Sequence, residues 1–224
     1  MSTSKLTPFR AAVVAALVAV SGAAQAQNLL VNGSFELGSA LTSGFTQEVI
    51  GSTNMTGWTV ITDNLAWIHG PLSPLSAVDG VKFLDLTFLS QGCAPCGGVE
   101  QTFATTPGSS YTLTFSLGSS STFLTPAAIQ ATIISGGTVT QGFASTLTGP
   151  NNWETQTQTF TAGSASTTLR LVGSVLSNPQ TEYVGLDKVS VVVATPVPEP
   201  GALALMLAGL AAVGSVASRR RTQR

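Results

Sequence analysis

The two cysteines of the chain, Cys93 and Cys96, stand in a Cys-x-x-Cys spacing that redox-active thiols, zinc sites and short disulfides share. Redox chemistry of the thioredoxin type needs the first cysteine at a helix N-terminus, where its pKa falls. Here a Gln-Gly pair precedes the motif and two glycines lead from it towards a strand. A single motif also supplies only two of the four ligands of a zinc site. A local disulfide is the remaining state, and we expect it here if the chain reaches an oxidising compartment.

Two carboxylates are the best candidates for holding a metal ion. Glu36 lies near the predicted first strand and Asp187 near the last, and hard oxygens of this kind suit Ca²⁺ together with backbone carbonyls. The alternative is that Glu36 caps a turn while Asp187 is solvated beside Lys188. Calcium is the only cofactor that the sequence suggests, because the single histidine, His69, cannot build a multi-histidine site.

The three tryptophans divide into two kinds. Trp58 opens an apolar run and is expected in the core, because tryptophan buries a large area. Trp67 and Trp153 border segments rich in Asn, Ser and Pro. They are candidates for stacking on a sugar ring, and half-buried packing is the alternative for each.

No arrangement of residues predicts catalysis. His69 with Asp63 or Asp79 and a serine would give the composition of a triad, but no nucleophile motif accompanies it. Asp79 and Asp85, as a glycosidase pair, have no separation that strand-and-turn structure defines. We expect no catalytic residue. The alternating threonines of Thr155–Thr159 (TQTQT) would suit an ice-binding array, but one strand does not make an array.

Charge excludes a further class of function. Only 8% of the 224 residues are charged, and the segment Gln27–Thr195 holds nine acidic and three basic residues, a net charge of −6. Three basic residues cannot neutralise a run of phosphates, so nucleic-acid binding is excluded. No glycine-rich nucleotide-binding motif is present either.

The N-terminus has the pattern of a signal peptide. Lys5 and Arg10 precede an apolar run at Ala11–Val20, and Ala24-Gln25-Ala26 provides small residues at a cleavage site. The ten-residue run is too short for the roughly 30 Å hydrocarbon core of a membrane. We therefore predict a signal peptide over residues 1–26, removed by signal peptidase during export.

The C-terminus carries three features in a fixed order: a Pro-Glu-Pro motif, an uncharged apolar stretch and an arginine cluster. They occupy Pro198, Glu199 and Pro200, then residues 201–218, then Arg219, Arg220 and Arg221. Eighteen apolar residues can form a somewhat short transmembrane helix. Basic residues after it would keep that end in the cytoplasm. A permanent membrane anchor is the simplest interpretation.

The same order resembles the PEP-CTERM sorting tail of Gram-negative, exopolysaccharide-producing bacteria, also called the ice-binding protein C-terminal domain. The resemblance covers Val197–Arg221 without a departure. It implies recognition by an exosortase, a membrane transpeptidase-like enzyme, and removal of the helix near Pro198–Pro200. The protein would then be membrane-anchored only transiently before it reaches the cell surface or the extracellular space.

Between these signals the sequence predicts strands. Tyr111–Leu117 alternates apolar and hydroxyl side chains, the period of a half-buried strand. Similar segments are Gly57–Thr62, Val81–Thr87, Val99–Ala104, Ala128–Ile134, Glu154–Thr161, Thr167–Val172 and Val184–Val193. Glycine-rich turns separate them and no helical stripe appears. We predict one all-β domain over residues 27–195, a jelly-roll β-sandwich, followed by the sorting tail at 196–224.

A second resemblance covers nearly all of this domain. The segments that carry it are Asn28–Glu36 (NLLVNGSFE), Gly57–Trp58, Asp79–Leu86 (DGVKFLDL), Gly98–Phe103 (GVEQTF), Tyr111–Phe115 (YTLTF) and Gly185–Ser190 (GLDKVS). They resemble the choice-of-anchor C domain of bacterial surface proteins and domain-of-unknown-function family 642 of plant cell-wall proteins. Galactose-binding-like carbohydrate modules are more distantly similar. The insert Thr87–Gly97 and the stretch Ser119–Gly142 depart from the pattern.

These resemblances imply a jelly roll at the cell surface or in the matrix, without an established enzyme activity. The expected function is a non-enzymatic surface or matrix protein, with carbohydrate such as exopolysaccharide as the expected ligand. A secreted glycan-active enzyme is the alternative, and an ice-binding surface protein is a further one. The low charge and the single histidine favour the first.

Overall fold

A computed structural model describes residues 27–39, 44–71, 75–88, 93–120, 126–147, 152–175, 183–194 and 209–210 of the chain. The predicted signal peptide at 1–26 lies outside the described residues. So does the predicted sorting tail, including Pro198–Pro200 and Arg219–Arg221, except for the helical Gly209 and Leu210. None of the described residues belongs to a helix with the length and apolar character needed to cross a membrane.

The described domain is built from strands alone. Its eleven strands are β1 (Gly44–Glu48), β2 (Thr59–Ile61), β3 (Leu65–His69), β4 (Lys82–Asp85), β5 (Gly98–Ala104), β6 (Ser110–Ser119), β7 (Ala127–Ser135), β8 (Thr138–Leu147), β9 (Asn152–Thr161), β10 (Ser166–Val175) and β11 (Val184–Val193). The predicted strands are present, and β1, β3 and β8 are strands that the alternation pattern missed.

The strands form two antiparallel sheets with jelly-roll topology. The first sheet has the order β1-β3-β4-β11-β6-β9 and the second has the order β2-β5-β10-β7-β8. The last strand, β11, lies inside the first sheet between β4 and β6. This arrangement confirms the predicted all-β sandwich.

The main core fills the space between the sheets. The apolar residues of β6, including Tyr111, Leu113 and Phe115, are buried there as the alternation predicts. Trp58 is also buried, as expected. Because both sheets contribute alternate residues, the hydrophobic effect fixes the register of every strand that has one polar face.

A second, smaller apolar cluster lies on the opposite face of the first sheet. It contains Ala66, Ile68, Leu75 and Phe83, with Trp153 packed against it. This cluster explains why β3 is buried on both faces and therefore lacks an alternating sequence.

Trp153 covers this outer face because two glycines lie beneath its ring. A Cβ added at Gly185 would lie 2.6 Å from Trp153 Cη2, and one at Gly118 would lie 2.8 Å from Trp153 Cε3. The ring meets Phe83 edge-on with centroids 5.6 Å apart, and its Nε1 donates to the Ser76 carbonyl at 2.9 Å. The two glycines are required by this close approach rather than by backbone conformation.

We therefore predict that Gly185→Ala destabilises the protein by roughly 1–3 kcal/mol, the usual cost of overpacking. The added methyl group would displace Trp153 from Phe83 and from the Ser76 carbonyl. Urea unfolding followed by tryptophan fluorescence measures the change. Gly163→Ala is the matched control, because a Cβ there meets its nearest neighbour at an ordinary 3.6 Å. Equal stability of the two variants would contradict the packing described here.

Candidate functional site

The N-terminal segment, residues 28–36, lies along the last strand without joining a sheet. Leu29 N–H donates to the Val191 carbonyl at 2.8 Å, and Val189 N–H donates to the Gly33 carbonyl at 2.8 Å. The Asn28 side chain adds three bonds: its Nδ2 donates to Val189 O, and its Oδ1 accepts from the N–H groups of Leu30 and Val191. The two ends of the domain are thus held together.

Asp187, on β11, holds the loop that leads into β4. Its Oδ2 accepts hydrogen bonds from the N–H groups of Val78 at 2.7 Å and Asp79 at 2.9 Å. Its Oδ1 accepts from Lys188 N–H at 2.6 Å. The side chain is fully buried, so the predicted alternative of a solvated Asp187 is wrong: the loop covers it.

Glu36 holds the next residues of the same loop. Its Oε1 accepts hydrogen bonds from the N–H groups of Val81 and Lys82, both at 2.7 Å, and its carbonyl accepts from Lys82 Nζ at 2.7 Å. Gly80 allows this approach, because it has a φ of +79° and a Cβ there would collide with the Glu36 carboxylate. Glu36 therefore makes turn-capping contacts.

The two predicted calcium ligands thus meet at one loop, residues 78–82. A cation between them would have to displace backbone N–H groups that already bind the carboxylates. Within the described residues, no group of three or more His, Cys, Asp or Glu side chains could hold a metal ion. Calcium binding through Glu36 and Asp187 stays a prediction.

Burial gives the Asp187 carboxyl unusual acid-base behaviour. Loss of hydration disfavours its charged form and raises its pKa to about 6, from an ordinary 3.8. The nearby charge of Asp79 raises the pKa further, whereas the three N–H bonds oppose the shift. The folded protein therefore holds a proton at pH values where the unfolded chain has released it.

Beside Asp187 opens a polar cleft of about 380 Å³. It is lined by Asn28, Leu30, Asn32, Gly33, Ser34, Asp79, Lys188, Val189 and Ser190. These residues come from three separate segments quoted above, Asn28–Glu36, Asp79–Leu86 and Gly185–Ser190. Among the described residues, the side chains of Ser34, Asp79, Lys188 and Ser190 have no hydrogen-bond partner, and they are therefore available to a ligand. Sequence reasoning missed Ser34, Lys188 and Ser190 as site residues, although the three segments themselves were recognised.

A larger and more apolar groove of about 560 Å³ crosses the outer face of the second sheet. Its floor includes Ala128, Ala144 and Val172, and the polar side chains of Gln130 and Thr146 also line it. At its rim stand Ala94 and Pro95, which lie between the two cysteines. The groove thus lies beside the insert that departs from the family pattern.

Cys93 and Cys96 are joined as a disulfide, as predicted. The backbone fixes this short loop to β10, because Cys96 N–H donates to the Gly173 carbonyl at 2.8 Å and Val175 N–H donates to the Cys93 carbonyl at 2.9 Å. Cys96 is buried in the core. The disulfide is therefore structural and shapes the rim of the groove.

The two candidate sugar-stacking tryptophans have packing contacts instead. Trp67 is only 2% exposed, its Nε1 donates to the Phe35 carbonyl at 3.0 Å, and Lys82 Nζ lies 4.9 Å from its ring centroid. This burial corrects the expectation for Trp67, since a covered ring offers no face to a sugar. Trp153 is half-buried over the outer cluster, and sugar stacking by Trp153 stays a prediction.

The residues considered for catalysis lie in different parts of the domain and in different environments. Asp63 precedes β3 and His69 ends it, so they lie at opposite ends of that strand. Asp79 is exposed at the cleft, whereas Asp85 is buried and its Oδ1 accepts from the N–H and hydroxyl groups of Thr87.

The TQTQT segment belongs to a wider hydroxyl surface. Thr155, Thr157 and Thr159 are exposed on β9, and across the strand they pair with Ser116, Thr114 and Thr112 of β6. The sequence could not reveal this second row, because the two strands lie about forty residues apart. Two neighbouring rows of hydroxyl groups are a feature that the ice-binding alternative would need.

Asp187 gives a testable pH dependence. Since its pKa is higher in the folded state, its contribution to stability is complete below the ordinary value of 3.8 and is lost as the pH rises through about 6. Between pH 4.5 and 7.5 the loss amounts to about 2 kcal/mol. Denaturant unfolding should show this decline in the wild type and a smaller one in Asp187→Asn. Asp63 is an exposed acid on a turn, so Asp63→Asn should show the same decline in the free energy of unfolding with pH as the wild type. An unchanged decline in Asp187→Asn would refute the assignment.

The chain is similar in parts to known proteins. A model of the PEP-CTERM protein-sorting motif matches residues 196–221, and no curated protein matches the chain. Similar solved structures include TmCBM61 in complex with beta-1,4-galactotriose, at 12% identity over 75% of this chain and 99% of that one, with a TM-score of 0.47. A putative sugar binding protein from Bacteroides thetaiotaomicron is 11% identical over 75% and 100% of the two chains, with a TM-score of 0.46.

The CBM22-1 xylan-binding domain of Xyn10C from Paenibacillus barcinonensis is 12% identical over 70% of this chain and 100% of that one, with a TM-score of 0.44. Similarity at this level carries no argument about a ligand. The family of the chain is shown by sequence instead, because the family model described as protein of unknown function (DUF642) matches residues 28–191. The chain belongs to the DUF642 family.

Proposed function

We propose that this chain is an exported, non-enzymatic surface or matrix protein that binds neutral carbohydrate in the polar cleft beside Asp187. The observation that carries the proposal is the convergence of three distant segments on that cleft. They leave Ser34, Asp79, Lys188 and Ser190 without partners among the described residues. The domain would span residues 27–195.

The chemistry of the cleft suits a polyhydroxylated ligand. Hydroxyl groups of a sugar both donate and accept, and the cleft offers an acceptor-only carboxylate, a donor-only ammonium group and two serine hydroxyls. Its volume of about 380 Å³ lies in the range of small-ligand sites, roughly 300–1,000 Å³. Because Gln27–Thr195 has a net charge of −6, a neutral glycan is favoured over a polyanionic one.

Delivery is proposed to follow the C-terminal motif. The order of Pro-Glu-Pro, apolar stretch and arginine cluster within residues 196–221 supports recognition by an exosortase. Signal peptidase would remove residues 1–26, and tail removal near Pro198–Pro200 would release the domain to the cell surface or medium. A Gram-negative host is implied.

The alternative of a glycan-active enzyme would need two carboxyl groups facing one substrate. Asp85 and Asp187 share a face of the first sheet, but both are fully buried. Asp79 is the exposed acid at the cleft. The arrangement thus favours binding over hydrolysis.

One prediction of this proposal concerns sorting. In a host that has an exosortase, the protein released from the cell should lack Arg219–Arg224, and deletion of the exosortase should leave the chain in the inner membrane. Mass spectrometry of the released protein identifies both termini. Glu199→Ala alters the Pro-Glu-Pro motif and leaves the apolar stretch unchanged. It therefore separates recognition of the motif from simple membrane anchoring. A mature protein that retains residues 201–218 in a host that has the exosortase would favour the permanent-anchor interpretation instead.

Another prediction concerns the cleft. Asp79→Asn and Ser34→Ala should each weaken retention on a neutral polysaccharide about tenfold or more, because a hydrogen bond to a buried sugar hydroxyl is lost. Affinity electrophoresis against a polysaccharide panel measures retention, and release of reducing ends in the same incubations tests for hydrolysis.

Thr146→Ala, in the groove of the second sheet, is the matched control and should bind as the wild type does. Loss of retention in Thr146→Ala but not in Asp79→Asn would move the ligand to the groove. Retention by no polysaccharide would overturn carbohydrate binding, and release of reducing ends would favour the enzyme alternative.

A further inference from the structure

The sheets have four outer strands, and three of them are poorly suited to pairing with another chain. β2 has three residues and β1 has five. β8 has ten, but its register with β7 is broken between Ile133 and Ile134. Short edges and irregular pairing are devices that prevent edge-to-edge association.

The fourth outer strand, β9, has none of these devices. It pairs with β6 through ten consecutive residue pairs without a register shift. Its sequence, Asn152–Thr161 (NWETQTQTFT), has no proline or lysine and one charged residue, Glu154. Among the described residues, the one further backbone bond at this edge is that of Thr161 N–H to Gln141 Oε1. Within the part of the chain that the structure describes, a long, regular and nearly uncharged edge is therefore open to another strand.

The sequence of this edge is complementary to itself. Thr155–Thr159 (TQTQT) reads the same in both directions, so a twofold axis at Thr157 sets Thr155 opposite Thr159 of a second copy and Gln156 opposite Gln158. Threonine pairs across antiparallel strands are stabilising. Glu154 falls opposite Phe160 of the second copy, so like charges do not face each other.

We propose that two copies of this protein pair through β9 in antiparallel register about Thr157. The pairing would join two six-stranded sheets into one of twelve strands and is isologous, as a twofold dimer requires. It would also place the threonine rows of both copies on one continuous face.

The small size of the β9 contact limits the affinity of the two copies for each other. A standard interface draws on roughly 20–30 residues from each partner, and β9 supplies ten. The pairing should therefore be weak for dilute protein and should require the high local concentration of copies held at one membrane or in one matrix.

Cysteine cross-linking in cells that express the full 224-residue chain tests the pairing. Residues directly opposite in antiparallel strands have Cβ atoms roughly 4.5–5.5 Å apart, close enough for a disulfide after small adjustments. Mild thiol oxidation of intact cells should convert Thr157→Cys into a dimer that reducing agent separates. Thr114→Cys, on the neighbouring inner strand and the same face, is the matched control and should remain a monomer. Dimer in neither variant, equal dimer in both, or a disulfide to a different protein would overturn the proposal.

A second pair of variants tests the register. Thr155→Cys or Thr159→Cys expressed alone should give at least fivefold less dimer than the two expressed together, because each lies opposite the other across the axis. Equal cross-linking of the single and the mixed samples would overturn the register about Thr157.

Discussion

The structure depends on how the backbone N–H groups of one loop, residues 78–82, are satisfied. Two carboxylates accept four of them, Glu36 from the N-terminal segment and Asp187 from the last strand. Three of these hydrogen bonds are partly buried, so loss of either carboxylate would leave backbone donors that must find other partners. Just before this loop, Leu75 belongs to the outer apolar cluster and the Ser76 carbonyl accepts a hydrogen bond from Trp153. The loop and the residues just before it therefore close the edge of the sandwich, line the cleft and complete the outer cluster.

A break in β11 makes this arrangement possible. The register with β6 shifts between Asp187 and Ser190, and Lys188 adopts a φ of +52°. Bulges of this kind turn a side chain away from the face that simple alternation would give it. As a result Asp187 lies under the loop while the next residue, Lys188, lines the cleft. The burial that raises the pKa of Asp187 and the exposure of Lys188 are consequences of the same irregularity.

The sequence predicted those parts of the fold whose physics is local. Tyr111–Leu117 alternates because β6 has one buried face, and the Cys93–Cys96 pair needs only its short spacing. β3 was missed because both of its faces are buried, and Trp67 was misplaced because nothing local indicates that Phe35 and Lys82 cover it. Glu36 and Asp187 were nominated together, but their shared loop depends on pairing across about 150 residues. Distant pairing likewise determines the polar cleft and the second threonine row, so a single sequence could not reveal either.

Burial and pairing of acidic side chains leave few charges on the surface of the domain. Glu48, Asp85 and Asp187 are fully or almost fully buried, and Glu36 is bound to the loop backbone. Glu100 forms an ion pair with Arg170 at 2.7 Å. Four of the nine acids of Gln27–Thr195 are therefore buried or paired with a base. Hydroxyl groups cover the outer face of the first sheet at β6 and β9. Surface repulsion between copies is correspondingly weak. Weak repulsion would favour the proposed pairing of two copies, whereas a dilute soluble protein would gain from a more charged exterior.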